Sequence, residues 1–406
     1  MVTYVALLML LQLDVAPAWA TLCSALLFVP WVLKSFMRPW VRRVGHFGQM
    51  VHIVEALLFV ALILLAFSFN RGPVAVFLAL LLVSLFCAWH ELTARMYYES
   101  RLRSFFRRLL MVPRHVCSQI AVIFTYGALI FLVGTLQVYF RQIRYSWSLG
   151  CYVVAGLFLM LSLTNCLLPS SPLERSVRAC KESKEGKAFL RGESGQKAGR
   201  WTSREGAVGW FFFLFFLLLP QGLMFFARVL YLYDTHARGG LQCTMQEIGF
   251  AQGTVGVIAF SLGIAIGWWF IRHYGLQRCF WPMAFSLVLS PFVYWGMTYS
   301  PPQSLWMLCC CTMTAQLLFG MGLGVCRLPV SAVSGSRYAA SIGMLQIPLV
   351  AAAMFLPMAL SGWMVERLGY EVFFLVNALS APVCLLAIRK FKKTPLTSFR
   401  GTKIES

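Results

Sequence analysis

Apolar residues fall in twelve long runs separated by short polar connections, near residues 2–13, 15–37, 50–69, 73–95, 113–140, 147–168, 207–232, 247–271, 279–299, 303–326, 335–364 and 370–389. About 20 residues at 1.5 Å each cross a hydrocarbon core of roughly 30 Å, which is the length most of these runs have. They are continuous rather than alternating, so they predict helices that satisfy their own backbone hydrogen bonds in lipid, not the strands of a barrel. The first run is the exception. Its 12 residues end at Asp14 and give about 18 Å of helix, too little to cross alone. Either the front of this helix is missing or the true start of the chain lies upstream.

The one clear break in composition is 169–206, which opens on Pro169, Ser170, Ser171 and Pro172 and continues rich in Lys, Glu, Gly and Ser. Six runs precede it and six follow. This predicts an all-α integral membrane protein of two six-helix bundles, 1–168 and 207–389, joined by a linker at 169–206 and followed by a basic tail at 390–406. Of the 35 Lys and Arg residues, all but Lys34, Arg71, Arg141, Arg144, Arg228, Arg238 and Arg367 lie in the even-numbered connections, the linker or the tail. Excess basic charge marks the cytoplasmic side, so both termini are expected inside the cell, in the plasma (inner) membrane.

The rest of the composition agrees. Hydrophobic residues make up 59% of 406 positions, charged residues only 12%, and mean hydropathy is +0.73. A net charge of +21 raises the question of nucleic acid, but the basic residues alternate with apolar spans instead of gathering on one soluble face, so no nucleic-acid partner is expected. The 13 cysteines scatter mostly through the spans, and Cys309, Cys310 and Cys311 point three ways around a helix, which suits packing rather than a metal. No cofactor motif or cleavable signal peptide is visible.

Four segments carry a family resemblance: LFVPWVLKSFMRPWV at 27–41, CAWHELTARMYY at 87–98, GTVGVIAFSLGIAIGWWFIRHYGLQRCFWP at 253–282 and SGWMVERLGYEVFF at 361–374. In this order and spacing they resemble the AmpG-like permeases, a branch of the major facilitator superfamily that includes muropeptide and acetyl-CoA transporters. The resemblance implies a major facilitator fold of about twelve helices and a secondary active transporter of a polar solute. It suggests a cell-wall sugar-peptide or related anionic solute as cargo, moved by alternating access in symport with protons. The chain also departs from the pattern. Arg42 stands where the first loop normally has an acid, and Glu91 and Arg95 where the fourth helix offers two aspartates. Ile271 takes the acidic place of the Gly-x-x-x-Asp-Arg loop, leaving Gly267 and Arg272. These losses, with the short first helix, support a second reading, a degenerate permease fold that senses or scaffolds. A third, a membrane enzyme using His90 with Glu91, lacks any further acid–base or metal constellation.

Charged side chains inside spans are costly and therefore candidates for function. Lys34 follows Pro30 and Trp31, where a proline loosens the helix; it either serves a gate, with Glu55 as the nearest acid to pair with, or snorkels to the interface. His90 and Glu91 are candidates for carrying a coupling proton, or else face the headgroups. Arg228 is either a two-pronged binder of a carboxylate or phosphate or an interfacial anchor beside Tyr231 and Tyr233. Gln119, Gln221 and Gln316, with Gln137, Gln346 and Asn377, offer uncharged hydrogen-bonding groups to a pathway or to neighbouring helices. Pro30, Gly256, Gly263, Gly267, Arg272 and Gly275 are the gating or packing candidates, and Gly320, Gly322 and Gly324 make the tenth run compliant.

Overall fold

The computed structural model describes residues 2–44, 47–101, 111–167, 204–323 and 339–392, and every regular element among them is helical. Nearly all of the linker 169–206, most of the tail 390–406, and Gly324, Arg327 and Arg337 lie outside the described residues, as do the side chains of Arg42 and Gln346. The first bundle contains α1 (Val2–Gln12), α2 (Pro17–Leu26), α3 (Val29–Val44), α4 (Phe47–Ser68), α5 (Pro73–Arg101), α6 (Met111–Ile123), α7 (Leu129–Phe140) and α8 (Ile143–Leu167). The second contains α9 (Arg204–Tyr233), α10 (Met245–Ile248), α11 (Gly256–Tyr274), α12 (Leu276–Tyr299), α13 (Leu305–Gly322) and α14 (Ala339–Lys392).

Ten stretches among the described residues are long and apolar enough to span a bilayer. One of them, Leu349–Ser380, is two arms of α14 separated at Gly369, whose φ of 73° lies outside the helical region. With α1, which is too short to qualify, the rods reach the twelve expected from the apolar runs. The chain is a multi-pass integral membrane protein.

The expected second span, 15–37, is not one straight helix. It breaks at Leu27 and Phe28, where Phe28 N–H bonds to Ala25 O and Trp31 N–H to Phe28 O in tightened turns. Pro30 accounts for the break: it has no N–H to give and its ring would press on the carbonyl one turn back, so it sits in the first turn of a new helix. The Leu27 carbonyl accepts instead from Ser84 Oγ at 2.6 Å. The spans at 113–140 and 247–271 are interrupted too, by π-type turns at Phe124–Ala128 and Gly249–Val255.

Burial follows the membrane logic, with apolar side chains both inside and outside. Along α4, Val54, Leu58, Ala61 and Leu65 face the interior while Ile53, Leu57, Val60, Leu64 and Phe67 are exposed to lipid, both sets at helical spacing. Helix α1 shows no such division. Thr3 to Leu11 are all buried, so this helix of about 16 Å is wrapped by its neighbours on every side.

The two bundles touch at several levels along their length. The two π-type turns pack on each other, with Gly253 so close to Tyr126 that a β-carbon there would collide with the Tyr126 carbonyl. Gly362 of α14 lies similarly against the Pro17 carbonyl, and Glu366 Oε1 accepts from Ala18 N–H at 2.9 Å, placing a carboxylate on the N-terminus of α2. Within the second bundle, Gly263 and Gly267 let α11 approach Leu317 and Met321 of α13, and Gly256 lies against Thr312 and Gln316. Gly275 joins α11 to α12 with φ at 78° and open space around it. Gly275→Ala is therefore expected to cost about 1 kcal/mol or more, because φ near 78° with ψ near 151° is a backbone region that essentially only glycine adopts, read as a fall in thermal midpoint.

Candidate functional site

Two groups of polar side chains are buried among these helices. The first lies in the first bundle toward its basic end. Lys34 of α3 is 6% exposed and forms an ion pair with Glu91 of α5, while its ammonium also sits 5.0 Å from the Trp31 ring. The expected pairing of Lys34 with Glu55 is not the one formed. Glu55, also 6% exposed, faces α5 and α8 instead and gathers four partners. Its Oε2 accepts from Ser162 Oγ at 3.0 Å and its Oε1 from Asn165 Nδ2 at 3.0 Å, with His52 Nδ1 and His90 Nε2 each 3.4 Å away. A carboxylate offers about four acceptor positions, so this set saturates it without Lys34. The physical reason for the difference is the break at Pro30, which starts α3 afresh and sets Lys34 against α5. Among the described residues no group of His, Cys, Asp and Glu is arranged to hold a metal ion.

The second group lies where the bundles join. Arg228 of α9 is 9% exposed, with its guanidinium carbon 5.2 Å from the Phe225 ring, a burial unlike that of an interfacial anchor. Tyr4 of α1, Tyr126 of the first π-type turn and Tyr294 of α12 lie within its electrostatic reach. Tyr4 and Tyr126 stack with ring centres 4.4 Å apart. Alongside runs a chain of amides: Gln316 Nε2 donates to Gln252 Oε1 at 3.2 Å, and Gln252 Nε2 donates to Tyr294 Oη at 2.8 Å. The π-type turn Gly249–Val255 widens the helix at Gln252 and carries this amide into the chain.

The remaining candidates join helices to each other. Gln119 accepts from Ser261 Oγ at 3.2 Å, across the two bundles, and Gln221 Nε2 donates to Leu287 O at 2.6 Å. Gln137 exchanges hydrogen bonds with Gln12, whose Oε1 also accepts from Trp147 Nε1 at 2.6 Å, and Asn377 Nδ2 donates to Pro220 O at 3.1 Å. Arg272 is exposed and lies over Trp268 at 5.4 Å. Outside the spans, burial and then the nearby Glu247 carboxylate push the Cys243 thiol up to about 12, which leaves it almost wholly protonated at neutral pH. Tyr4, Tyr126, Tyr294 and Gln252 were not singled out by sequence, where a tyrosine inside an apolar run counts as one more aromatic.

Twelve helical rods in two bundles with polar side chains at their junction define a membrane protein with the major facilitator fold. Solved structures of transporters share it. The nucleoside transporter NupG is 17% identical, with 97% of this chain and 94% of that one covered and a TM-score of 0.67. A bacterial homologue of the iron transporter ferroportin in its inward-facing state is 15% identical, covering 96% and 93%, at a TM-score of 0.64. The inward open conformation of the xylose transporter XylE from E. coli is 15% identical, covering 96% and 91%, at 0.60. No protein-family model and no curated protein sequence matches the chain. At such identities the likeness establishes the fold and does not select the AmpG-like branch.

Proposed function

We propose that this protein is a secondary active transporter that moves a polar solute through the junction of its two bundles by alternating access, with protons as the coupling ion. The observation that supports it most is the hydrogen-bonded chain Gln316–Gln252–Tyr294 beside Arg228, buried where the bundles meet. A charge is costly in the middle of a membrane protein, and a buried one beside further polar groups marks a candidate solute pathway. The solved structures that share the fold are named as transporters of nucleosides, xylose and iron, which favours transport over catalysis. The cell-wall sugar-peptide suggested by resemblance belongs in the first panel of solutes.

Glu55 with His52 and His90 is the proposed proton site. A proton taken by His90 turns its 3.4 Å approach to the carboxylate into a charge-assisted contact, drawing α5 toward α4, and its loss releases that pull. The test is uptake into proteoliposomes under an imposed pH gradient. The wild type is expected to accumulate solute when the outside is acidic, and Glu55→Gln to lose at least tenfold of that stimulation while still equilibrating solute down its own gradient. Uptake indifferent to the gradient in the wild type removes the coupling. A folded protein that moves no member of a broad panel removes transport and leaves the scaffold reading.

A further inference from the structure

We infer that the junction site grips a single anionic group on the solute, a carboxylate or a phosphate, with Arg228, Tyr4 and Tyr294 as its donors. This rests on the transport reading and names what that site recognises.

The argument begins with a charge lacking its counterpart. Arg228 is nine-tenths buried, and among the described residues it forms no ion pair, while its Nε is buried without a hydrogen-bond acceptor. Each described carboxylate lies beside some other group. Glu55, Glu91 and Glu366 hold the partners given above, Asp234 lies 3.7 Å from Arg238, and Glu247 caps α10 through Thr244. Asp14 lies by Tyr233 and Glu371 by Tyr299. The face of the Phe225 ring offsets part of the charge, but it supplies no acceptor for the guanidinium N–H groups.

The groups around Arg228 are donors as well. The Tyr4 hydroxyl is buried with no partner. The Tyr294 hydroxyl already uses a lone pair on the Gln252 amide, so its own hydrogen is left to point elsewhere. A buried guanidinium with two phenol hydroxyls within its electrostatic reach calls for an acceptor that brings several lone pairs and a negative charge. Carboxylates and phosphates do both, and guanidinium meets either in two-pronged geometry. A neutral sugar or nucleoside brings acceptors but no negative charge, and so leaves the guanidinium unmatched. The first bundle contributes Tyr4 and the second Arg228 and Tyr294, so one bound anion touches both halves.

The test is thermal unfolding of the purified full-length protein in detergent, at constant ionic strength in chloride. The probes are inorganic phosphate and glycerol 3-phosphate in one arm, lactate and benzoate in another, and uridine and xylose in a neutral arm. One anionic arm is expected to raise the wild-type midpoint saturably by several degrees, with the neutral arm flat; which arm responds tells phosphate from carboxylate. Arg228→Gln is expected to weaken that response at least tenfold and to melt higher than wild type without ligand, since it removes an unmatched charge. Tyr4→Phe, which alters little volume, is expected to weaken the response several-fold without lowering the ligand-free midpoint. The inference is overturned if no anion shifts the wild type beyond chloride, or if Arg228→Gln melts lower and binds as before. Saturable xylose or uridine uptake that survives Arg228→Gln also overturns it, while the transport reading stands. Anion stabilisation that needs Arg228 but comes with no flux in vesicles upholds it and removes transport instead.

Discussion

Gly253→Ala is expected to destabilise the protein by about 2–3 kcal/mol. A β-carbon at this position meets the carbonyl oxygen and carbon of Tyr126 and the amide nitrogen of Gly127. All three are main-chain atoms of the opposing π-type turn, so no side chain can rotate away and the two turns must separate. Because those turns belong to different bundles, the cost appears in the docking of one half on the other. It would be measured as a fall in thermal midpoint in detergent, with Gly156→Ala as the control. Gly156 has no atom within 4 Å of an added β-carbon, so its substitution is expected to be neutral or to stabilise slightly. Equal effects at the two positions would mean that the turns are not in contact as described.

The second large effect concerns Lys34 and Glu91. Removing one member of a buried pair leaves the other charge without compensation, at a cost of about 3–5 kcal/mol when both are fully enclosed. Here the Lys34 side chain is 8% exposed and that of Glu91 is 28% exposed, and Arg95 and Arg114 lie within electrostatic reach. Water and those arginines soften the loss, so Lys34→Met is expected to cost about 2 kcal/mol. Combining it with Glu91→Leu should restore most of the lost stability, because an apolar pair of similar volume carries no desolvation penalty. A double-mutant cycle on thermal or denaturant midpoints reads the coupling directly. Purely additive effects would show that the two side chains do not depend on each other, and the ion pair would then carry no structural weight.

The helices are legible because bilayer length imposes itself on composition: a run such as Ile143–Leu167 is mostly apolar whatever its neighbours are. The break before α3 was legible in principle from Pro30. The π-type turns were not, since each inserts a residue into the hydrogen-bond ladder without changing the kind of residue that lipid and core select. Among the polar candidates, sequence located Lys34, Glu55, His90, Glu91 and Arg228 because charge is conspicuous in an apolar run. It did not tell which faced which. Partner choice depends on the rotation of each helix and on which helices are neighbours, so Lys34 was matched to the wrong acid. The tyrosines beside Arg228 were hidden because a phenol scores as a hydrophobe until its hydroxyl is placed.

The contact between Glu366 and Ala18 has a further implication. Its acceptor is a side chain but its donor is a peptide N–H, so the two ends of this clasp are not equally open to change. Apart from proline, any residue at position 18 keeps the hydrogen that Glu366 binds, whereas at position 366 only a group with an oxygen at the right reach preserves it. Divergence at this seam between the bundles is thus free on one side and constrained on the other.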